Sequence, residues 1–176
     1  HKEAVNGVTR IRHSRVNMAG ITADVALGNW LVRGEAATFS GLQTLGLPGQ
    51  DFTRVDALAG VEFTGLADAS MSFELVNRHL FNWNSALIGE GLKENSQEYA
   101  LRFSGDYMHE RVHITALTTR ISPFTQGGGF SRASVEYDVQ DALSIKGGVT
   151  LYHDGTRAPF KGLGDNDRLF IEIKQS

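Results

Sequence analysis

Hydrophobic and polar positions alternate along most of this chain from Arg15 onward. The clearest instance runs from Ala142 to Lys174. There Leu143, Ile145, Val149 and Leu151 fall on one side, and Ser144, Lys146, Thr150 and Tyr152 on the other. After a loop rich in Gly, Pro and Asp, Leu169, Ile171 and Ile173 alternate with Arg168, Glu172 and Lys174. Successive side chains of an extended strand point to opposite faces, so the spacing predicts a β-hairpin with one apolar and one polar face.

The same pattern recurs upstream. Ala19, Ile21, Ala23, Val25 and Leu27 alternate with Gly20, Thr22, Asp24 and Ala26, and the run stops at Gly28-Asn29, a tight hairpin signal. Val32, Gly34 and Ala36 then oppose Arg33, Glu35 and Ala37. Val55, Ala57, Ala59, Val61 and Phe63 oppose Arg54, Asp56, Gly60 and Glu62. Met71, Phe73 and Leu75 oppose Ser72, Glu74 and Arg78, and Tyr99, Leu101, Phe103 and Tyr107 oppose Glu98, Arg102, Ser104 and Asp106. The run from Arg111 to Ser122 is the least regular, because Leu117 and Ile121 fall on the side of His113 and Thr115. Ala133, Val135 and Tyr137 face away from Arg132, Ser134, Glu136 and Asp138. Residues 1–14 are polar without a clear period and are expected to form a loop. Residues 15–176 are expected to form one antiparallel unit of about nine strands.

The connections alternate in length. Short turns fall near 28–29, 66–68, 109–110 and 140–141, and longer loops near 41–51, 82–96, 122–129 and 154–166. Outer-membrane barrels have this arrangement, with short periplasmic turns and long extracellular loops. Aromatic residues gather near the strand ends: Trp30, Tyr107 and Tyr137 at the short-turn end, and Phe52, Phe81, Trp83, Tyr99, Phe130 and Tyr152 at the other. Such belts suit rings with one apolar and one wet edge. The runs also match the ~9–11 residues of a tilted membrane strand. The expected fold is therefore all-β, an antiparallel up-and-down transmembrane β-barrel. The alternative is a soluble sandwich or lipocalin-like barrel, whose apolar face would be core. Against it stand the many Ala and Gly residues of the apolar face and the opposite charges on nearly every polar one.

Composition narrows this further. The chain has 176 residues and a formal net charge of −3. Its scattered Lys and Arg do not make the basic patch of a nucleic-acid binder. It has no cysteine, which removes disulfides, thiolate nucleophiles and Cys-based zinc sites together. No stretch approaches the ~18 apolar residues of a membrane helix, a limit that does not touch a barrel. The opening HKEAVNG has neither an initiator Met nor a signal peptide, as expected of a processed chain or a fragment.

Three stretches carry a family resemblance: RHSRVNMAGITADVALGNWLVRGEAATFSG, SRASVEYDVQDALSIKGGVTLY and the ending PFKGLGDNDRLFIEIK. From about Arg12 to the C-terminus the chain resembles the C-terminal part of a Gram-negative outer-membrane family catalogued as domain of unknown function 1302. The most specific pieces are GNW, RGEA and GDNDRLF. Asn29 stands where the family pattern has an acidic residue, and the chain stops at Gln175-Ser176 where an outer-membrane protein usually closes on an aromatic residue. Family members are considerably longer. That agrees with a parity argument, since bacterial single-chain barrels have an even strand number and this chain has an odd one. The chain is thus expected to be the C-terminal portion of a larger barrel whose N-terminal strands lie elsewhere. The resemblance implies the bacterial outer membrane, contact with its lipid, and a gene context of periplasmic and exporter components of the resistance-nodulation-division type. That context points to traffic of hydrophobic or amphipathic compounds.

The candidate chemistry lies on the polar face. Asp24, Arg33, Glu35, Arg54, Asp56, Glu62, Glu74, Arg78, Arg102, Asp106, Arg132, Glu136, Asp138, Lys146, Arg168, Glu172 and Lys174 are expected to line a lumen. Mixed-sign charge can bias which solutes pass a wet pore. Equally, the same groups can pair across strands and simply fill it. Because both signs are present, no strong ion selectivity is expected. Asp165 and Asp167 could offer oxygens to Ca²⁺, but the full EF-hand spacing is absent and a turn before the last strand is the stronger expectation. Some outer-membrane barrels are hydrolases, and His153-Asp154 is an adjacent His/acid pair at the long-loop end. Adjacent strand residues point to opposite faces, however, and spacing places no Ser beside them. His79, His109 and His113 read as strand-end or turn residues. Gly127-Gly128-Gly129 lacks the following Gly-Lys-Ser/Thr of a phosphate loop.

The expected function is thus a polar pore, or support for one, passing small hydrophobic or amphipathic compounds under long outer loops. No enzyme activity, cofactor, metal or nucleic acid is expected. A plugged structural barrel and a soluble ligand-binding β-sheet are the alternatives.

Overall fold

A computed structural model describes residues 2–5, 8–11, 15–121, 127–156 and 159–175. The strands are β1 (Lys2–Val5), β2 (Val8–Ile11), β3 (Asn17–Leu27), β4 (Trp30–Leu42), β5 (Phe52–Leu66), β6 (Ala69–Phe81), β7 (Asn95–Tyr107), β8 (Val112–Ile121), β9 (Gly129–Gln140), β10 (Leu143–His153) and β11 (Arg168–Gln175). From β3 to β11 each strand pairs antiparallel with the next, making one nine-stranded up-and-down sheet that is open at β3 and β11. β1 and β2 pair separately. The first fourteen residues, expected to be a loop, therefore hold a small hairpin; four-residue strands are too short for a period of two to register.

Facing residues of an antiparallel pair share a face, so correct register joins the alternation of single strands into two continuous surfaces. Asp24 faces Arg33, Arg33 faces Gly60 and Gly60 faces Glu74. At the far side Glu136 faces Lys146, which faces Glu172. Every Asp, Glu, Lys and Arg of the nine strands lies on this polar face except Arg120. The short turns use backbone geometry suited to tight hairpins. Gly28 has φ 60° at the first central position of the β3–β4 turn, as a type II′ turn requires. The β7–β8 turn passes through Met108, His109 and Glu110 with φ of 56°, 58° and 63°.

Among the described residues no second layer packs on the apolar face. Ile21, Val25, Val32, Met71, Phe73, Leu101, Val135, Ile145, Leu151, Leu169, Ile171 and Ile173 are all exposed there. Soluble monomers rarely leave so large an apolar surface open. Part of the polar face, in contrast, is sheltered. The Glu136 and Lys146 side chains are only 18% and 22% exposed, while their apolar chain neighbours Val135 and Ile145 are 49% and 42% exposed. Around Glu136 the sheet thus shelters charge and exposes aliphatic groups, the reverse of a soluble barrel.

The apolar band has a defined height. On β5 it runs from Val55 to Phe63, eight residue steps or about 27 Å of strand at ~3.4 Å per residue. A tilt of ~40° reduces this to about 21 Å, close to the ~25 Å apolar band of membrane barrels. At the short-turn end the band closes on Trp30, Phe63, Tyr107 and Tyr137; the Trp30 and Phe63 rings lie 4.5 Å apart, and the Arg111 guanidinium lies 5.3 Å from the Tyr137 ring. The expected belt at the long-loop end is only partly present. Tyr99 and Phe81 share the apolar face, but Phe130 and Tyr152 share the polar one, and Phe52 is buried. Distance along a strand sets a ring's height, but parity sets its face, and these three have the parity of the charges.

The packed core is small and lies at the long-loop end. Phe52, Leu80 and Leu87 are buried there, with Leu42, Leu47 and Trp83 against them. Leu87 comes from a 3-10 helix, Ser85–Glu90, inside the loop that follows β6. The Asn84 side chain caps this helix by accepting from Ala86 N, and Gly91 ends it in the left-handed conformation. The helix and the 43–51 loop fold over the ends of β5 and β6 on their polar side.

Candidate functional site

The polar face carries a cross-strand network of charge. Arg33 Nε donates to Asp24 Oδ1 at 2.9 Å. Arg54 pairs with Asp56 at 2.8 Å, Arg78 reaches Asp56 at 3.9 Å, and Arg78 also donates to Glu98. Glu136 is the hub of a second group: it accepts from Ser144 Oγ at 2.8 Å and meets Lys146 at 3.3 Å and Lys174 at 3.2 Å. His113 bridges two carboxylates, with Nδ1 2.6 Å from Asp106 and Nε2 3.1 Å from Asp138. Three guanidinium groups lie over rings: Arg54 over Phe39 at 4.7 Å, Arg132 over Phe170 at 4.5 Å and Arg168 over Tyr152 at 5.9 Å. Such contacts hold long side chains in one orientation at modest energy.

All seventeen residues expected to line a lumen, from Asp24 to Lys174, share this face. Among them Asp24, Arg33, Arg54, Asp56, Arg78, Asp106, Glu136, Asp138, Lys146 and Lys174 take part in close ion pairs. Glu62, Glu74 and Arg102 instead line a cavity of about 220 Å³ with Arg33, Ser70, Ser72 and Ser104. Glu98 and His113 complete the network and were not among the expected lining residues. Their parity marks them, but His113 reads locally as a strand-end residue, and its two acidic partners come from β7 and β9.

A second cavity, of about 320 Å³, lies at the long-loop end of the same face. Leu42, Phe52, Leu80 and Leu92 supply apolar wall, and Arg54, Arg78 and Lys93 supply charge. The two loops above it are tied together, because the Glu90 carboxylate accepts from the backbone N–H groups of Leu45 and Gly46. Trp83 Nε1 donates to Leu92 O at 3.1 Å, fixing the second loop on itself. The two loops, tied to each other, thus cover the long-loop end of the polar face.

Asp154 and Asp167 act in loop structure. Asp154 Oδ1 accepts from Gly162 N at 2.6 Å, and Asp167 Oδ1 accepts from Tyr152 N at 2.8 Å, just before β11. Among the described residues no group of three or more His, Cys, Asp or Glu is spaced to hold a metal. His153 does not meet Asp154; its Nε2 lies 3.0 Å from Ser131 Oγ on β9. Chain spacing cannot reveal that pairing, since it depends on the β9–β10 register. Residues 122–126 of the expected 122–129 loop lie outside the described residues. No described helix is long and apolar enough to cross a membrane, which says nothing of strands. Comparison with protein families, curated proteins and solved structures finds no match for the chain.

Proposed function

We propose that this chain is part of an outer-membrane β-barrel whose apolar face meets lipid and whose polar face lines a wet passage for small amphipathic compounds. The observation that carries the proposal is the open aliphatic face, a band of nearly bilayer height backed by a face that holds all but one of the strands' charges. The mouth supports the choice of solute, because its cavity joins aliphatic walls to guanidinium groups. The open edges of β3 and β11 take further strands. Nine strands put those edges in the same direction, so an odd number of added strands closes the barrel with every pair antiparallel. Under the family resemblance those strands lie upstream, and periplasmic and exporter components are the partners.

A second reading, a plugged structural barrel, is favoured by the Phe52–Leu80–Leu87 cluster packed over the polar face. Planar-bilayer recording separates the two. A pore gives discrete conductance steps with weak ion preference, and a plugged barrel gives none. In a pore, Glu136→Gln leaves Lys146 and Lys174 without their carboxylate, so the reversal potential in a salt gradient should move toward anion preference. An unchanged potential would remove Glu136 from the passage wall.

A further inference from the structure

Arg120 is the one Asp, Glu, Lys or Arg in the nine strands that leaves the polar face. It lies at the long-loop end of β8, facing Tyr99 on β7 and Gly129 on β9, just beyond the apolar band. No carboxylate among the described residues forms an ion pair with it. Its Nη1 donates to Thr118 Oγ1 at 3.1 Å and to Thr119 O at 2.8 Å. Thr118 Oγ1 lies 2.9 Å from Ser131 Oγ, which lies 3.0 Å from His153 Nε2. Four polar side chains on three adjacent strands are thereby linked, with a guanidinium at one end and an imidazole at the other. Ala116, Ala133, Val149 and Leu151 lie just below them on the same face.

A half-buried guanidinium beside an apolar surface, with no neighbouring carboxylate, calls for an anion. The planar group keeps further N–H donors in a fork that matches phosphate, while the imidazole and hydroxyls supply more donors beside it. The Ser131–His153 spacing also suits a nucleophile and its base. Among the described residues, however, nothing hydrogen-bonds the other imidazole nitrogen to orient the ring, so the cluster fits binding better than catalysis. At this height, between the apolar band and the long loops, lipid phosphate groups lie.

We propose that Arg120 and His153, with the Thr118 and Ser131 hydroxyls, bind the phosphate of a lipid headgroup in the leaflet beside the long loops. The site rests on the reading that the apolar face meets lipid. It gives the chain a fixed lipid partner on its outer wall, separate from the polar passage.

The test uses the intact protein in phosphatidylcholine vesicles, titrated with lipid A carrying its phosphates, with dephosphorylated lipid A and with inorganic phosphate. Native mass spectrometry counts the lipid retained. Wild-type protein should hold the phosphorylated form, Arg120→Gln should weaken retention about tenfold, and Arg120→Lys should fall between them. Equal retention by wild type and Arg120→Gln, or equal binding of dephosphorylated lipid A, would overturn the site. Displacement by millimolar inorganic phosphate would also overturn it, as a free-anion site. Flotation with the vesicles keeps the two claims apart. Protein that floats but binds lipid A without regard to Arg120 loses the site alone, whereas wild-type protein that does not float loses the membrane reading and the site with it.

Discussion

Ile171→Arg should cost insertion of this sheet about 2–4 kcal/mol if its apolar face meets lipid as proposed, the cost of a cation near mid-bilayer. Ile171 faces Gly147 in the middle of the apolar run of β10 and β11 and is 79% exposed on that face. The same arginine one residue later, in Glu172→Arg, lands on the polar face opposite Lys146. There it meets water and one like charge, a penalty of about 1 kcal/mol or less. Urea titration of vesicle-inserted protein, read by heat-dependent gel mobility, should show a clear loss for the first variant and little change for the second. Equal losses would mean that both faces meet the same medium.

The second large effect concerns the mouth. Leu87 is completely buried between the loop helix and the sheet end, so Leu87→Ala should cost about 2–5 kcal/mol of local stability. The loss falls on the packing that holds the 43–51 and 82–94 loops over the polar face, not on the strand ladder. Proteolysis of these loops should quicken and single-channel conductance should rise, while the heat-shifted mobility of the barrel persists. The neighbouring Ile88 is 48% exposed, and Ile88→Ala should change neither. Faster proteolysis without any change in conductance would show that the loops do not narrow a passage.

The strands and their faces were legible because a period of two is local: Val55, Ala57, Ala59 and Val61 declare one surface of β5 without knowledge of its neighbours. The alternation of short and long connections declared the antiparallel order. Cross-strand partners were less legible. Glu136 gathers Lys146 from β10 and Lys174 from β11, and Ser131 meets His153, because of register between strands. The inward fold of the 82–94 loop depends on one leucine finding Phe52 and Leu80, a contact with no periodic signature. Arg120 lay within reach of parity, since it shares the phase of Val112, Ile114 and Ala116. The irregularity created by Leu117 and Ile121 in the same strand masked it.

The central claim is that the aliphatic face meets lipid and the charged face meets water. The chain contains no cysteine, so single cysteines can be placed one at a time from Val55 to Phe63 and spin-labelled without background. In vesicles, collision with oxygen reports lipid and collision with a water-soluble nickel chelate reports solvent. Oxygen accessibility should peak at positions 55, 57, 59, 61 and 63, with nickel accessibility peaking at the positions between. Labels at the odd positions that neither reagent reaches, flanked by even positions open to nickel, would instead describe a soluble sheet with an aliphatic core and would contradict the account.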